Sequence, residues 1–291
     1  MKTIVSFFIL FWTFSINTFA LKMSFQIDDG EHYDKTEREI FDKSNLNVYY
    51  KMNFLLDSTQ ANKYTEAQTV LMVSDNYTLF NDYYRIMLDS INDLCAESKK
   101  NAKKYTNEWD SISSKRCYSM KNVVLTDLKT SESTVQFSYI RKYQYTTKLE
   151  FNWHLENKDT IINNLPCKKA TCRYAGRDYI AWYTEKISLP YGPYLFRGLP
   201  GLIVSIYDTK NNYIFTCNGI EKPSSLRDIY LYADKHLIRT TREKALTSYK
   251  NEWENYASIL IDSGDLVVVK EGPSTEALKK RRPSNMLELE W

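Results

Sequence analysis

The 291-residue sequence predicts an α+β protein, mainly β, in which a large curved antiparallel sheet packs with one or two amphipathic helices. Two observations support this fold class. Many short segments alternate apolar and polar residues and carry several of the 23 tyrosines, a pattern typical of strands. Two connections between such segments, 175–178 and 208–212, are short and polar, which favours hairpins and therefore antiparallel pairing.

The predicted strands form two groups with a helical block between them. The strands are expected at 47–56, 69–74, 123–128, 134–139, 145–151, 153–155, 167–174, 179–183, 202–207 and 213–217. From Phe80 onward, apolar residues recur at steps of three and four, which predicts a helix over 81–95 within a polar insertion of about 81–116. Residues 258–261 and 266–269 predict one further short hairpin.

A second apolar stripe at helical spacing lies near the C-terminus. Its members are Leu246, Tyr249, Trp253 and Tyr256. Such a stripe is more often a core face than a ligand site, so we expect a helix over 241–256 that packs on the sheet.

The first twenty residues have the layout of a signal peptide. Lys2 precedes an apolar run from Ile4 to Ile16, and small residues stand before a cleavage site after Ala20. The alternative, a transmembrane anchor, needs about 20 apolar residues, and this run is shorter. We expect residues 1–20 to direct export and 21–291 to form a single β-rich domain without a transmembrane segment.

Charge and motifs exclude several function classes. The formal net charge of +3 is too small for a nucleic-acid footprint. The three histidines, His32, His154 and His236, lie on separate elements, and no P-loop, dinucleotide fingerprint or metal-binding spacing is present. The sequence therefore predicts no cofactor, no metal and no catalytic residue.

Five cysteines leave two readings open. Export permits disulfides, and Cys95 with Cys117 and Cys172 with Cys217 are the candidate pairs. The alternative is that all five, including Cys167, are unpaired and buried as small apolar groups. The odd count leaves at least one thiol free in a monomer.

A polar cluster supplies the candidate binding residues. It contains Arg173, Arg177, Asp178, Glu185 and Arg197. Arginine binds carboxylates and phosphates in a bidentate manner, so Arg173, Arg177 and Arg197, with the aromatic Tyr194 and Phe196, are candidates for a binding site. The alternative, which we favour, is a set of surface ion pairs that stiffens the hairpin.

Glycine and proline concentrate in one segment that must follow a particular backbone path. The motif residues are Trp182, Gly192, Pro193, Gly198, Leu199, Pro200, Gly201, Leu202 and Ile203. Leu199–Leu202 fits a type II turn with Gly201 at positive φ. The apolar neighbours predict a folded lid at one end of the sheet.

These residues resemble a known family. The similarity rests on Cys167-Lys168-Lys169-Ala170-Thr171, Gly176-Arg177-Asp178-Tyr179, Ala181-Trp182-Tyr183-Thr184, Gly192-Pro193 and the GLPGLI sequence of Gly198–Ile203. On these residues the chain resembles the GLPGLI family of exported bacterial envelope proteins, strongly over 152–208 and weakly elsewhere. The resemblance implies the periplasm or cell envelope of a Gram-negative bacterium, or secretion. It implies no established activity and supplies no catalytic residues.

Three functions are compatible with the sequence. The first is a non-catalytic binding or carrier module that holds an apolar ligand. The second is a structural or assembly partner of an outer-membrane complex, indicated by the aromatic segment from Tyr191 to Phe196. The third is a hydrolase with an unrecognised site, for which Asp178, Glu185 and His154 would have to converge.

Overall fold

The computed structural model describes residues 29, 33–60, 62–98, 101–115, 120–266, 276 and 279–291. The signal-peptide prediction, His32, Cys117 and most of the predicted strand 266–269 lie outside these residues.

The described strands are numbered in chain order. They are β1 Arg38–Lys43, β2 Leu46–Leu55, β3 Tyr64–Val73, β4 Tyr77–Asp82, β5 Val123–Asp127, β6 Ser133–Ser138, β7 Lys142–Thr147, β8 His154–Ile162, β9 Leu165–Tyr174, β10 Arg177–Thr184, β11 Leu202–Asp208, β12 Tyr213–Glu221, β13 Asp228–Tyr232 and β14 Leu237–Arg239. The α-helices are α1 Tyr83–Glu97, α2 Thr106–Lys115, α3 Arg242–Glu254 and α4 Tyr256–Asp262, and a 3-10 turn, Ala102–Tyr105, precedes α2.

Two meanders joined side by side form the main sheet. Within the described residues its strand order is β14-β7-β6-β5-β4-β3-β2-β12-β11-β10-β9-β8. Strands β2 to β7 and β8 to β12 each pair with their sequence neighbours, and the two series meet where β2 pairs with β12. Every pairing is antiparallel except that of β14 with β7. The predictions of an α+β protein and a large, mainly antiparallel sheet are therefore confirmed.

The two faces of the sheet are covered differently. One face packs into a large core that includes the motif segment, α3 and the chain end. The other face of β3, β4 and β5 is covered by α1 and by β13, which pairs with β1 in a separate two-stranded sheet. The apolar stripe of α3 packs on the sheet as predicted, with Tyr249 against Phe137 at 5.2 Å between ring centroids.

The helical block leaves and rejoins the sheet at one buried carboxylate. Asp82 ends β4 and caps α1, accepting a hydrogen bond from the Arg85 backbone nitrogen at 2.8 Å. Its other oxygen accepts from the Met120 nitrogen at 2.9 Å, just before β5. Because β4 and β5 pair directly, α1 and α2 lie on a loop between neighbouring strands, as the periodicity predicted.

One predicted strand is a helix, and strands β1, β4, β13 and β14 were not predicted. Residues 258–261 belong to helix α4, which follows α3 directly, with the Ile259 nitrogen bonded to the Asn255 carbonyl oxygen at 3.0 Å. Strand β1 was missed because its residues are mostly polar and half-exposed, so that no alternation marks it.

The type II turn at Leu199–Leu202 is also wrong. The φ of Gly201 is not positive, and the positive values fall instead on Gly198, at +93°, and on Tyr194, at +56°. Gly201 is needed for space: a Cβ there would lie 2.0 Å from the carbonyl oxygen of Thr184. The motif is part of the core, since Leu199, Leu202 and Ile203 are almost fully buried.

We predict that Gly201→Ala strongly destabilises the protein. The new methyl group meets backbone that cannot rotate away, and overpacking of this kind costs about 1–3 kcal/mol or more. Chemical denaturation measures the free energy of unfolding. Gly219→Ala is the matched control, because its Cβ would meet only the movable side chain of Tyr49, at 3.2 Å. Equal stability of the two variants would contradict the close approach.

Candidate functional site

Four residues close to the C-terminus lie inside the protein. Residues 285–290, here called the C-terminal segment, form no strand, yet Asn285, Met286, Leu287 and Glu288 are each less than a tenth exposed. A buried segment without strand pairing needs other partners for its polar groups. Those partners come from the β9–β10 hairpin, from β2 and β12, from the motif segment and from the start of α3.

Arg177 binds the first half of the C-terminal segment. Its Nη2 donates to the Asn285 Oδ1 at 2.7 Å and to the Met286 carbonyl oxygen at 2.5 Å, and its Nε donates to the Leu287 carbonyl oxygen at 3.2 Å. Its Nη1 lies 3.4 Å from the Oδ2 of Asp208. Arg177 is 5% exposed, so the expectation that it belongs to a surface ion-pair set is wrong.

The hairpin turn aims Arg177 inward and receives the end of the segment. Ala175 and Gly176 form the turn with φ values of +46° and +78°. The Leu289 nitrogen donates to the Ala175 carbonyl oxygen at 2.9 Å. A Cβ on Gly176 would lie 3.0 Å from atoms of Leu289 and Glu290, so the glycine lets the segment cross closely.

Glu288 anchors the other half of the segment. It is 2% exposed and accepts hydrogen bonds from the Tyr194 hydroxyl and from the Arg242 guanidinium, whose Nε lies at 3.0 Å. Burial alone would lower the pKa of Arg242, but the Glu288 carboxylate outweighs it and raises that pKa. Burial and the same carboxylate raise the pKa of Tyr194 well above its usual value.

Two further tyrosines face the Glu288 end with unused hydroxyls. Tyr145 and Tyr174 have buried hydroxyl oxygens, and neither has a hydrogen-bond partner in the described part of the chain. They lie on β7 and β9, and eight strands stand between these two in the sheet order. The charge of Glu288 nevertheless contributes to the raised pKa of both tyrosines. Burial raises the pKa of both phenols, so they remain neutral donors.

An apolar cleft runs beside the segment. It is bounded by the sheet, by α3 and by the segment itself. Its polar lining residues are Lys121, Asn122, Tyr194, Ser284, Asn285 and Glu288. Among its lining residues are Met52, Phe54, Met120, Phe137, Leu246, Tyr249, Trp253 and Met286. Its volume of about 60 Å³ is well below the ~300–1,000 Å³ of ordinary small-molecule pockets. It has room for one small apolar group.

The other candidate binding residues have different surroundings. Arg173 is exposed, 3.3 Å from Asp178 and 3.6 Å from Glu290, and thus belongs to the expected surface ion pairs. Arg197 is half-buried, donates to the Ser133 hydroxyl and to backbone oxygens of Ser131 and Leu149, and has a pKa lowered by burial. Phe196 is 1% exposed and packs on Tyr179, 4.7 Å between ring centroids.

The structure contains no disulfide among the described cysteines. Cys95, Cys167, Cys172 and Cys217 are free and buried, so the Cys172–Cys217 pair is wrong and Cys95 is unbonded. Burial raises the pKa of the Cys172 thiol to about 12, which keeps it protonated and unreactive. The alternative of buried, unpaired cysteines therefore holds for these four.

The residues of the hydrolase hypothesis do not converge. Asp178 forms an ion pair with Arg173, and Glu185 forms one with Lys168 at 2.9 Å. His154 lies on β8, where it pairs with Thr171 of β9, and its side chain is exposed. Within the described ranges no cluster of three or more His, Cys, Asp or Glu side chains is arranged to hold a metal ion. In the same ranges no helix is long and apolar enough to span a bilayer.

Sequence reasoning identified Arg177 and Tyr194 but missed their common target. Asn285, Glu288, Arg242, Tyr145 and Tyr174 carried no local signal, because each acts through a contact distant in sequence. The only hint was the apolar character of Met286 and Leu287 close to the chain end.

Comparisons with known proteins add little. No family model matches the chain, and no curated protein matches it. Among solved structures the chain is similar to PNGF-II in two space groups, with 11% identity and TM-scores of 0.43 and 0.44. The matches cover 70% and 71% of this chain, which spans about a third of PNGF-II, 32% in both. A likeness of this degree says nothing about activity.

We predict that Arg177→Met destabilises the fold by about 3–5 kcal/mol, because it leaves the buried Asp208 carboxylate without its cation. Arg173→Met is the matched control: its exposed pair contributes less than about 1 kcal/mol. Urea denaturation of both variants measures the difference. Similar losses in the two variants would show that Arg177 contributes no more than a surface arginine.

Proposed function

We propose that the protein is an exported, non-catalytic binding module of the bacterial cell envelope and a member of the GLPGLI family. In this proposal the apolar cleft between the sheet, α3 and the C-terminal segment is the binding site. The observation that carries it is the cleft itself, whose walls are mainly apolar and include the polar groups of Tyr194 and Glu288.

A curved sheet is part of this proposal. Tyr145 and Tyr174 lie on strands near opposite ends of the sheet order and both approach Glu288, which supports a sheet wrapped around the chain end. The walls of the cleft come from β2, β6 and α3 together.

The size of the cleft favours a small apolar group over a whole lipid. A volume of about 60 Å³ is less than half of the ~150 Å³ apolar cavity that takes up benzene. We therefore propose that the group is a single aliphatic side chain of a protein partner. This size argument favours the assembly partner, the second of the functions compatible with the sequence, over a carrier of large ligands.

Export yields the first test. When the full chain is produced in an outer-membrane-bearing bacterium, we expect a periplasmic product whose N-terminus is Leu21. A matched chain without residues 2–20 should stay in the cytoplasm. Cell fractionation and N-terminal sequencing check both results, and an uncleaved product in the membrane fraction would contradict a signal peptide.

The cleft yields the second test. Isobutanol, which has the carbon skeleton of a leucine side chain, should shift the ¹³C-methyl resonances of Met52 and Met120 saturably, because both line the cleft. Met72, buried on the other face of the sheet, and Met87 on α1 are the internal controls. Leu56→Phe, which enlarges a lining residue, should weaken the effect. Equal, linear shifts at all four methionines would reject the site.

A further inference from the structure

The C-terminal segment is held in the manner of a bound peptide. Recognition uses five of its backbone groups and two of its side chains. The backbone groups are the carbonyl oxygens of Asn285, Met286 and Leu287 and the nitrogens of Leu289 and Glu290, and the side chains are those of Asn285 and Glu288. The Asn285 amide also donates to the Leu55 carbonyl oxygen at 2.5 Å, and the Tyr213 hydroxyl donates to the Asn285 carbonyl oxygen at 2.5 Å. The contacts to the Asn285 and Glu288 side chains favour a peptide that carries an asparagine and, three residues later, a glutamate.

The surface that receives the segment is assembled by other parts of the chain. Arg177, Asp208 and Tyr213 lie on β10, β11 and β12 respectively, and β11 pairs with both of the other strands. Asp208 is fixed independently of the segment, since it accepts from the Tyr213 nitrogen at 2.7 Å and the Asn212 amide at 3.0 Å. Tyr194 belongs to the motif segment and Arg242 to the first turn of α3. The segment itself adds no strand to this framework.

The fit of the segment in its own chain is incomplete. The buried hydroxyls of Tyr145 and Tyr174 lack hydrogen-bond partners in the described residues, although they flank Glu288. The segment therefore leaves two buried donors of its site unsatisfied. The buried part of the segment is also short, since only residues 285–288 are buried and residues 283, 289 and 290 beside them are exposed. A short element without strand pairing can open locally while the sheet around it stays folded.

We propose that this surface is an exchangeable peptide-binding site, and that its second occupant is the C-terminal segment of another copy of this chain. The required asparagine and glutamate are present in every copy, so the exchange reproduces each contact without a new interface. Exchange of an identical element is a low-cost route to a dimer. This site borders the apolar cleft, because the bound segment forms one wall of the cleft. It differs from the cleft in what it binds: Arg177 and Arg242 bind polar groups of the segment.

The test uses a fluorescein-labelled peptide with the sequence of residues 283–291 and the full mature chain. Fluorescence anisotropy should show that the peptide binds a Asn285→Ala, Glu288→Gln variant at least about tenfold more tightly than the wild type, because the loosened segment vacates the site. Glu288→Gln alone should give a smaller increase. A peptide carrying the same two substitutions is the control and should not bind. Circular dichroism shows that each variant is folded.

Exchange between whole chains is the second readout. Two wild-type preparations with different fluorophores, mixed and warmed below the unfolding transition, should form a mixed dimer on size exclusion. A folded variant that binds neither peptide, or binds both equally, would overturn the site, and a wild type that stays monomeric at every concentration would overturn the second copy as its occupant. The isobutanol shifts of Met52 and Met120 test the cleft separately, so either proposal can fail alone.

Discussion

A buried guanidinium, that of Arg177, determines how the β9–β10 hairpin and the C-terminal segment pack together. Arg177 lies where water cannot solvate it, so its charge and donors must be matched within the protein. Asp208 supplies the charge, and Asn285, Met286 and Leu287 supply the remaining acceptors. The β9–β10 hairpin therefore depends on residues more than a hundred positions later. Asp208 in turn shapes the β11–β12 hairpin through Asn212 and Tyr213, so one ion pair links two hairpins and the chain end.

The segment that contains the GLPGLI motif also helps to hold the C-terminal segment, through Tyr194 and Glu288. Gly201 passes against the Thr184 carbonyl group and Gly192 against the side chain of Ile203, so that the segment between β10 and β11 can lie within the core. This path holds Tyr194 in a left-handed conformation that non-glycine residues rarely adopt. The strained residue is the one whose hydroxyl binds Glu288. Backbone strain at a residue that makes a buried hydrogen bond is typical of sites that the surrounding structure holds in place.

The sequence predicted those parts of the structure that have a local cause. Helices α1 and α3 follow from apolar spacing, and the hairpins follow from short polar connections between alternating strands. The prediction of a type II turn at Gly201 was wrong because it rested only on the φ angle that glycine permits. What requires glycine there is the backbone carbonyl group of Thr184, 17 residues earlier in the chain, which leaves no room for a Cβ atom. The burial of Arg177 was unpredictable because three of its four acceptors lie on the C-terminal segment. Nothing near Glu288 in the sequence marks Tyr145, Tyr174 or Arg242 as its neighbours.

The charge balance of the interior determines what can replace the segment. With the segment in place, Glu288 neutralises Arg242, Asp208 neutralises Arg177, and the surrounding phenols stay protonated. When the segment leaves, Arg242 loses its carboxylate and Arg177 loses three acceptors, while Asp208 remains. The vacant surface then carries a net positive charge with a fixed set of unsatisfied donors. A purely apolar occupant would leave those donors buried and unpaired, which is costly. Only an acidic segment with backbone carbonyl oxygens in the right places restores the balance, and the chain's own end is such a segment.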